Sequence, residues 1–311
     1  MYGYIVRRLL LAIPVLIGVS ILVFSIVRFI PGDPARIVAG VHASQEYVER
    51  VRAELLLDEP LYLQYYVYIS NLLQGDMGRS SFTRRPVTAE LFDRFPNTLI
   101  LTVAAMGIAT VFGMGAGIIS ATKRYSLFDN FTMLFALAGI AIPVFWLGLM
   151  FQLLFSVQLG WLPSSGMESW RNLVMPAMTL GLATTALIAR ITRSSMLDVL
   201  GQDYINTARA KGLVERVVVY KHALKNALIP VVTVMGLQFG TLLGGAVLTE
   251  TVFSWPGIGR LLVDSILTRD YPVVQGAVLI LALFFVLINL FVDVIYALLD
   301  PRITYSTQEG S

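Results

Sequence analysis

The sequence predicts an all-α membrane protein: six transmembrane helices, with an extracytoplasmic segment between the first and the second. Three observations lead there. Hydrophobic residues make up 56% of the 311 and charged residues only 14%, against about 25% charged in an average soluble domain. Charges bracket long uncharged intervals at 9–27, 95–122, 130–167, 172–189, 226–249 and 271–292, and ~18 such residues can cross a hydrocarbon core as a helix. Lys and Arg also fall unevenly about those intervals, which is how such chains encode their orientation. With a cytoplasmic amino terminus, twelve lie inside, from Arg7 and Arg8 through Lys123, Arg124, Arg190 and Arg193 to Lys225 and Arg302. Only Arg171, Arg260 and Arg269 stand in the short outer loops. Both termini are then cytoplasmic, and the net charge of +3 is a topology signal rather than a sign of nucleic-acid binding.

The first span lies within residues 1–30. Arg7 and Arg8 before an apolar run also suit a signal peptide, but residues 9–27 exceed the usual 7–15 of such a core and no small-residue cleavage site follows. The span is therefore read as retained. The extracytoplasmic segment, 31–96, should hold a helix over 44–57, with Ser44 as N-cap and Val48, Val51 and Leu55 on one face, and a second over 60–73. Gly75, Gly78 and Pro86 then punctuate a loop. A cap over the span ends and a docking platform for an external partner both fit this segment.

The core, 97–300, holds the other five spans. The second covers 97–120, where Gly113 and Gly117 repeat at the four-residue spacing that lets helices approach closely. The interval 130–167 is long enough for two helices, yet the turn-like cluster noted in it, 162–166, lies near its end. It is read as one span over 131–155 that leaves the membrane past Trp161 and Trp170. The fourth span covers 173–192, followed by a cytoplasmic loop at 193–229. The fifth covers 230–250 with Gly236, Gly240 and Gly244 in register for packing, and the sixth covers 276–299. A cytoplasmic tail, 301–311, closes the chain.

Several activities lack their residues. There is no cysteine, so no disulfide or thiolate chemistry. The two histidines, His42 and His222, fall on opposite sides of the predicted membrane, which leaves neither a metal site nor a serine–histidine pair, and no catalytic residue is assigned. A phosphate-binding G-x-x-x-x-G-K-[ST] loop is absent, so the chain has no ATPase site of its own. Intramembrane charges mark ion pathways when they are retained in hydrocarbon. Here Glu250 should reach water at the outer end of the fifth span, and Asp293 should pair with Arg7, Arg8 or another inner basic residue.

The most informative segment is the inner run DYINTARAKG, 203–212. Gly201 ends the fourth helix, Asp203 is placed to cap a new one, and Gly212 is placed to stop it. Ala208 and Ala210 keep this helix slim, and Tyr204 and Ala208 share a face. Arg209 and Lys211 stand where the helix dipole favours positive charge. A groove on another protein and an anionic lipid surface are equally good partners on this physics.

The run resembles the cytoplasmic EAA loop of ABC-importer permeases. TARAKG (207–212) followed by HALKNALIP (222–230) is similar to the branch that imports dipeptides, oligopeptides or nickel. The resemblance extends along the chain through RRLLLAIPVLIGVS (7–20), PGDP (31–34), DEPLYLQYY (58–66), GDMGRS (75–80), FPNTLILT (95–102), TETVFSWPGIGRLL (249–262), RDYPVVQG (269–276) and DPRI (300–303). The order is that of the B-type, dipeptide-permease-like subunit. Asn206, Thr207 and Ala208 replace the general Glu-Ala-Ala, Leu224 and Lys225 replace a later Leu-Pro, and Leu57 replaces part of a frequent Gly-Leu-Asp run.

This resemblance implies a type I ABC-importer transmembrane domain in a prokaryotic inner membrane. It implies a second, homologous permease subunit, two cytoplasmic ATPase subunits that bind ATP and Mg, and an external substrate-binding protein. No cofactor or metal is expected on this chain. The residues to which the resemblance gives the coupling to the ATPase are Asp203, Tyr204, Thr207, Ala208, Arg209, Ala210, Lys211 and Gly212. A dipeptide or oligopeptide is the expected substrate, with nickel or another small solute as the alternative. A secondary carrier or channel acting alone is the competing class.

Overall fold

The computed structural model describes residues 2–29, 33–39, 43–54 and 56–299. His42, Leu55 and the 301–311 tail lie outside the described residues, as do the side chains of Arg7 and Asp293, and with them the expected Asp293 pairing. The chain is helical almost throughout: α1 (Tyr2–Phe29), α2 (Pro34–Ala39), α3 (Gln45–Glu54), α4 (Leu61–Leu73), α5 (Val87–Thr122), α6 (Leu127–Ala141), α7 (Val144–Phe151), α8 (Arg171–Leu200), α9 (Asp203–Ala210), α10 (Glu215–Val217), α11 (Leu224–Val252), α12 (Ile258–Leu267) and α13 (Tyr271–Leu299). Gln152–Gln158 and Val218–Ala223 are wider π-helical turns that prolong α7 and lead into α11. Among the described residues five helical stretches are long and apolar enough to cross a membrane, and six if α6 and α7 are counted as one bent span.

That bend differs from the helix expected over 131–155. Ile142 is extended (φ −79°, ψ 125°) because Pro143 follows it, and the proline ring disfavours helical geometry in the residue before it. The helical pieces on either side diverge by 106°.

α5 and α8 form the central pair, and glycines set their spacing. A Cβ on Gly117 would stand 2.6 Å from the Ala189 carbonyl oxygen and 2.6 Å from Thr192 Cβ, and one on Gly113 would stand 2.9 Å from the Thr185 oxygen. Gly181 of α8 returns the arrangement, with the Ala105 oxygen 2.7 Å from the place of its missing Cβ. On α11, Gly236 and Gly240 admit Val292 and Phe285 of α13, while Gly244 has nothing within 4 Å and faces open space. Three apolar clusters tie the spans together. The central one joins Leu101, Ala105 and Ala109 of α5 with Leu180 and Ile188 of α8, Leu242 and Ala246 of α11, and Trp255. The other two sit at opposite ends of the bundle. A satellite cluster, Ala35, Val48 and Val51, holds α2 to α3; Ser44 starts α3 by accepting from the Tyr47 N–H at 3.3 Å.

Candidate functional site

α9 stands between the long helices α8 and α11. α8 stops at Gly201 and Gln202 turns extended (φ −80°, ψ 150°). The cap position expected for Asp203 therefore belongs to Gln202, and Asp203 is instead the first helical residue, where its charge still meets the positive end of the helix dipole. At the other end Gly212 adopts φ +76°, a left-handed conformation that costs an L side chain about 1–2 kcal/mol. Its N–H bonds the Arg209 carbonyl at 2.9 Å, and the next N–H, of Leu213, reaches back to Ala208 at 3.4 Å. This double closure satisfies the last carbonyls and reverses the chain.

Two side chains anchor α9. Ile205 and Ala208 are buried with Ile118 and Ala121 of α5, Met196 of α8, Val218, Val219 and Ala223 of the π-helical turn, and Ala227 of α11. Ala208 thus packs inward rather than sharing an outward face with Tyr204, and its role in slimming the helix is toward its own chain. Tyr204 is 43% exposed, and its hydroxyl accepts from Asn226 Nδ2 at 2.7 Å. Ile205 was not singled out from the sequence, although the spacing Ile205–Ala208 was available as the apolar stripe of a polar segment.

The opposite face of α9 is polar. Asp203, Asn206, Thr207, Ala210 and Lys211 are exposed, and the Thr207 hydroxyl donates to the Asp203 carbonyl at 3.0 Å. Arg209 makes a two-pronged contact with Glu215, Nε to Oε2 at 3.1 Å and NH2 to Oε1 at 2.8 Å. This pair holds the Arg209 guanidinium above its ordinary pKa and spans the reversal at Gly212. The result is a short, braced helix whose polar face is open and whose apolar residues share one cluster with residues of three spans.

An ion pair with a buried carboxylate supports the same end of the bundle. Arg193, near the end of α8, donates to Asp129 at the start of α6 through Nε at 2.6 Å and NH2 at 2.8 Å. The Ser120 hydroxyl of α5 and the Tyr125 N–H, at 3.0 Å, donate to the same carboxylate, which is 2% exposed. Sequence reading had counted Arg193 only as a topology charge.

The far end of the bundle corrects one expectation. Glu250 does not reach water: it is fully buried. Its Oε1 accepts from the Thr98 hydroxyl at 2.6 Å and its Oε2 from the Arg260 N–H at 3.0 Å. Thr98 in turn accepts from the Ile258 N–H at 2.9 Å, and the Trp255 indole donates to the Asn97 carbonyl at 2.9 Å. A Cβ on Gly257 would stand 2.2 Å from Glu250 Oε1, and one on Gly259 2.9 Å from Oε2. The carboxylate is the core of a clasp between the start of α5 and the turn from α11 to α12. Nearby, Asp270 accepts from Ser80 and from the Ser81 N–H. Among the described residues no group of three or more His, Asp or Glu is placed to hold a metal.

Comparison with known proteins now has this geometry to refer to. Residues 113–305 match the family described as binding-protein-dependent transport system inner membrane component, and residues 1–102 match the N-terminal component of the same system. The glutathione transport system permease protein GsiC of Escherichia coli (strain K12) is 53% identical over 305 residues, covering 98% of this chain and 100% of the relative. GsiC of Shigella dysenteriae serotype 1 (strain Sd197) matches to the same extent. Among solved structures, the inward-facing MetNI methionine ABC transporter aligns over 68% of this chain and 96% of that chain, with a TM-score of 0.58 at 20% identity. An amino acid ABC transporter solved with histidines aligns over 70% and 95%, with a TM-score of 0.52 at 16% identity; both show the shared fold alone. The family models, the relatives and the helical architecture agree: the chain belongs to the binding-protein-dependent transport system inner membrane components and is a multi-pass permease subunit of an ABC importer.

Proposed function

We propose that this chain lines one half of the translocation path of an ATP-driven importer of short peptides, and that α9 is the element its ATPase engages. The observation that carries this reading is the double character of α9. Its polar face is exposed, while Ile205 and Ala208 sit in a cluster shared by α5, α8 and α11. A force applied to that face enters three spans together, as conversion of ATPase closure into span rotation requires. Asp203, Tyr204, Thr207, Arg209, Ala210 and Lys211 present the contact surface, Ala208 seats the helix, and Gly212 is the turn about which it is held.

The chain lacks a phosphate loop, so ATP and Mg bind on two partner subunits. A second permease chain completes the path, and an external binding protein delivers the substrate. The relatives are named for glutathione, a tripeptide, which supports a dipeptide or small oligopeptide as cargo. The basic residues beside α9 support a cytoplasmic position for it and for both termini.

The test is purification of the tagged chain from its native membrane in mild detergent with trapped ATP. Co-isolation of two phosphate-loop ATPases and a second six-span chain, with a peptide bound to the co-isolated binding protein, is expected. A chain that comes out alone and moves solute in liposomes without ATP overturns the reading in favour of a carrier.

A further inference from the structure

The helix α4 carries a surface that water does not suit. Its thirteen residues, LYLQYYVYISNLL, hold no charge. Gln64, Tyr65 and Tyr68 turn toward the protein, whereas Tyr62, Tyr66 and Leu73 form one stripe at helical spacing and are 77%, 70% and 83% exposed. The neighbouring α3 is the internal control. Five of its ten residues are charged, and Glu46, Glu49 and Arg50 dominate its exposed face beside one tyrosine, Tyr47, at 40%, as expected of a helix in water.

Depth is fixed by what α4 touches. The Tyr65 hydroxyl is 2.8 Å from Ser20 Oγ, and Phe24 packs edge-on against Tyr65 with ring centroids 5.2 Å apart and against Tyr68 at 5.7 Å. Ser20 and Phe24 belong to the apolar part of α1, Arg8–Ser25. Arg8 and Arg28 stand twenty residues apart in the sequence, about 30 Å along a helix, which is the thickness of a hydrocarbon core. Ser20 lies eight residues short of Arg28, so about 12 Å inside that boundary. Allowing for the reach of a tyrosine, α4 lies nearer that boundary than Ser20 does, which brings its apolar face to the ~5–10 Å depth at which interfacial helices bury theirs. Its length fits too, because an apolar helix of 10–14 residues is too short to span and suits an interfacial or re-entrant placement.

We infer that α4 is a membrane-interface helix, with its Tyr62, Tyr66 and Leu73 stripe in the lipid of the leaflet away from α9. The phenol rings occupy the acyl boundary and their hydroxyls reach the headgroup level, where tyrosine is enriched in membrane proteins. The segment between α1 and α5 is then of two kinds: α2 and α3 stand in water, and α4 belongs to the membrane-embedded body. A receiving surface for a soluble partner has α3 and the 74–86 loop available, while lipid covers the stripe. This inference concerns placement alone and stands whatever the cargo or energy source.

The absence of cysteine makes the test direct. Spin labels are placed singly by Tyr66→Cys, Tyr62→Cys and Leu73→Cys, with Glu46→Cys as the water reference and Val111→Cys, 69% exposed on the α5 span, as the hydrocarbon reference. The full chain, with its co-isolated subunits, is reconstituted in phosphatidylethanolamine–phosphatidylglycerol vesicles, and the parent chain supplies the background. Collision with dissolved oxygen relative to a water-soluble nickel chelate is expected to be severalfold higher at all three stripe positions than at Glu46→Cys, approaching Val111→Cys. Ratios equal to that of Glu46→Cys in two of the three variants overturn the inference and leave the stripe as a docking face for a soluble protein. Three independent positions keep the test decisive if one variant fails to assemble.

Discussion

At Gly212, φ of +76° coincides with open space where a Cβ would stand, so any penalty for substitution there comes from the backbone and not from a clash. Gly212→Asn, which tolerates the left-handed region, is expected to keep uptake near the parent level. Gly212→Val should leave the spans inserted but uncouple ATP hydrolysis from uptake, at a conformational cost of about 1–2 kcal/mol. The ratio of hydrolysis to uptake in reconstituted vesicles measures this, and a Gly212→Val importer transporting at the parent rate refutes it. Glu250 makes the opposite case, since its surroundings leave no room and no water. Glu250→Ala strands the Thr98 hydroxyl and the Arg260 N–H, and each buried orphan costs about 1–3 kcal/mol. Thermal unfolding in mild detergent should show a clear loss of stability, smaller in Glu250→Gln, which keeps one acceptor; equal melting of all three proteins would show that the clasp is not needed.

At the scale of elements, the ion pair between α6 and α8 makes a sharper prediction. Asp129 is 2% and Arg193 21% exposed, so removing the arginine strands a buried carboxylate, at a cost at or below the lower end of the about 3–5 kcal/mol of a fully buried pair. Arg193→Gln should therefore destabilise far more than the double change of Arg193→Gln with Asp129→Asn. A double-mutant cycle in detergent checks this, and additive losses would mean that the two residues are uncoupled. The elements also show what sequence could and could not reveal. The ends of α9 were legible because Gly201 and Gly212 act locally, through one turn each. The break at Ile142 was legible as well, because Pro143 disfavours a helical residue before it, but a reading that follows hydropathy alone passes over it, since the flanking residues stay apolar where the backbone bends. The surroundings of Glu250 were illegible for a different reason: Thr98 lies 152 residues away, and no local pattern reports a partner at that distance. Gly236 and Gly240 meet α13 whereas Gly244 meets nothing, since a spacing rule names one face of a helix without saying how far a neighbour extends along it.

For the whole molecule, the sequence conveyed the class of architecture through its charges, and the structure added how the two ends of the bundle are held. One end of the bundle is braced by the α9 cluster and the Asp129–Arg193 pair, the other by the clasp around Glu250. Between them the α5–α8 pair is drawn together by glycines on both helices. This chain reconstituted alone is expected to show neither ATP hydrolysis nor uptake above empty vesicles; ATP-independent flux through it would mean that the path needs no partner. The clasp also has a consequence for inheritance. Glu250 occupies the space that a side chain at Gly257 or Gly259 would need, and it depends on Thr98 for a hydrogen bond. Altering one of these four positions breaks the arrangement unless the others change with it, so they are expected to vary together among relatives. A chimaera joining α5 of one relative to α11 and α12 of another should succeed only when the residues around Thr98 and those from Glu250 to Gly259 come from the same parent.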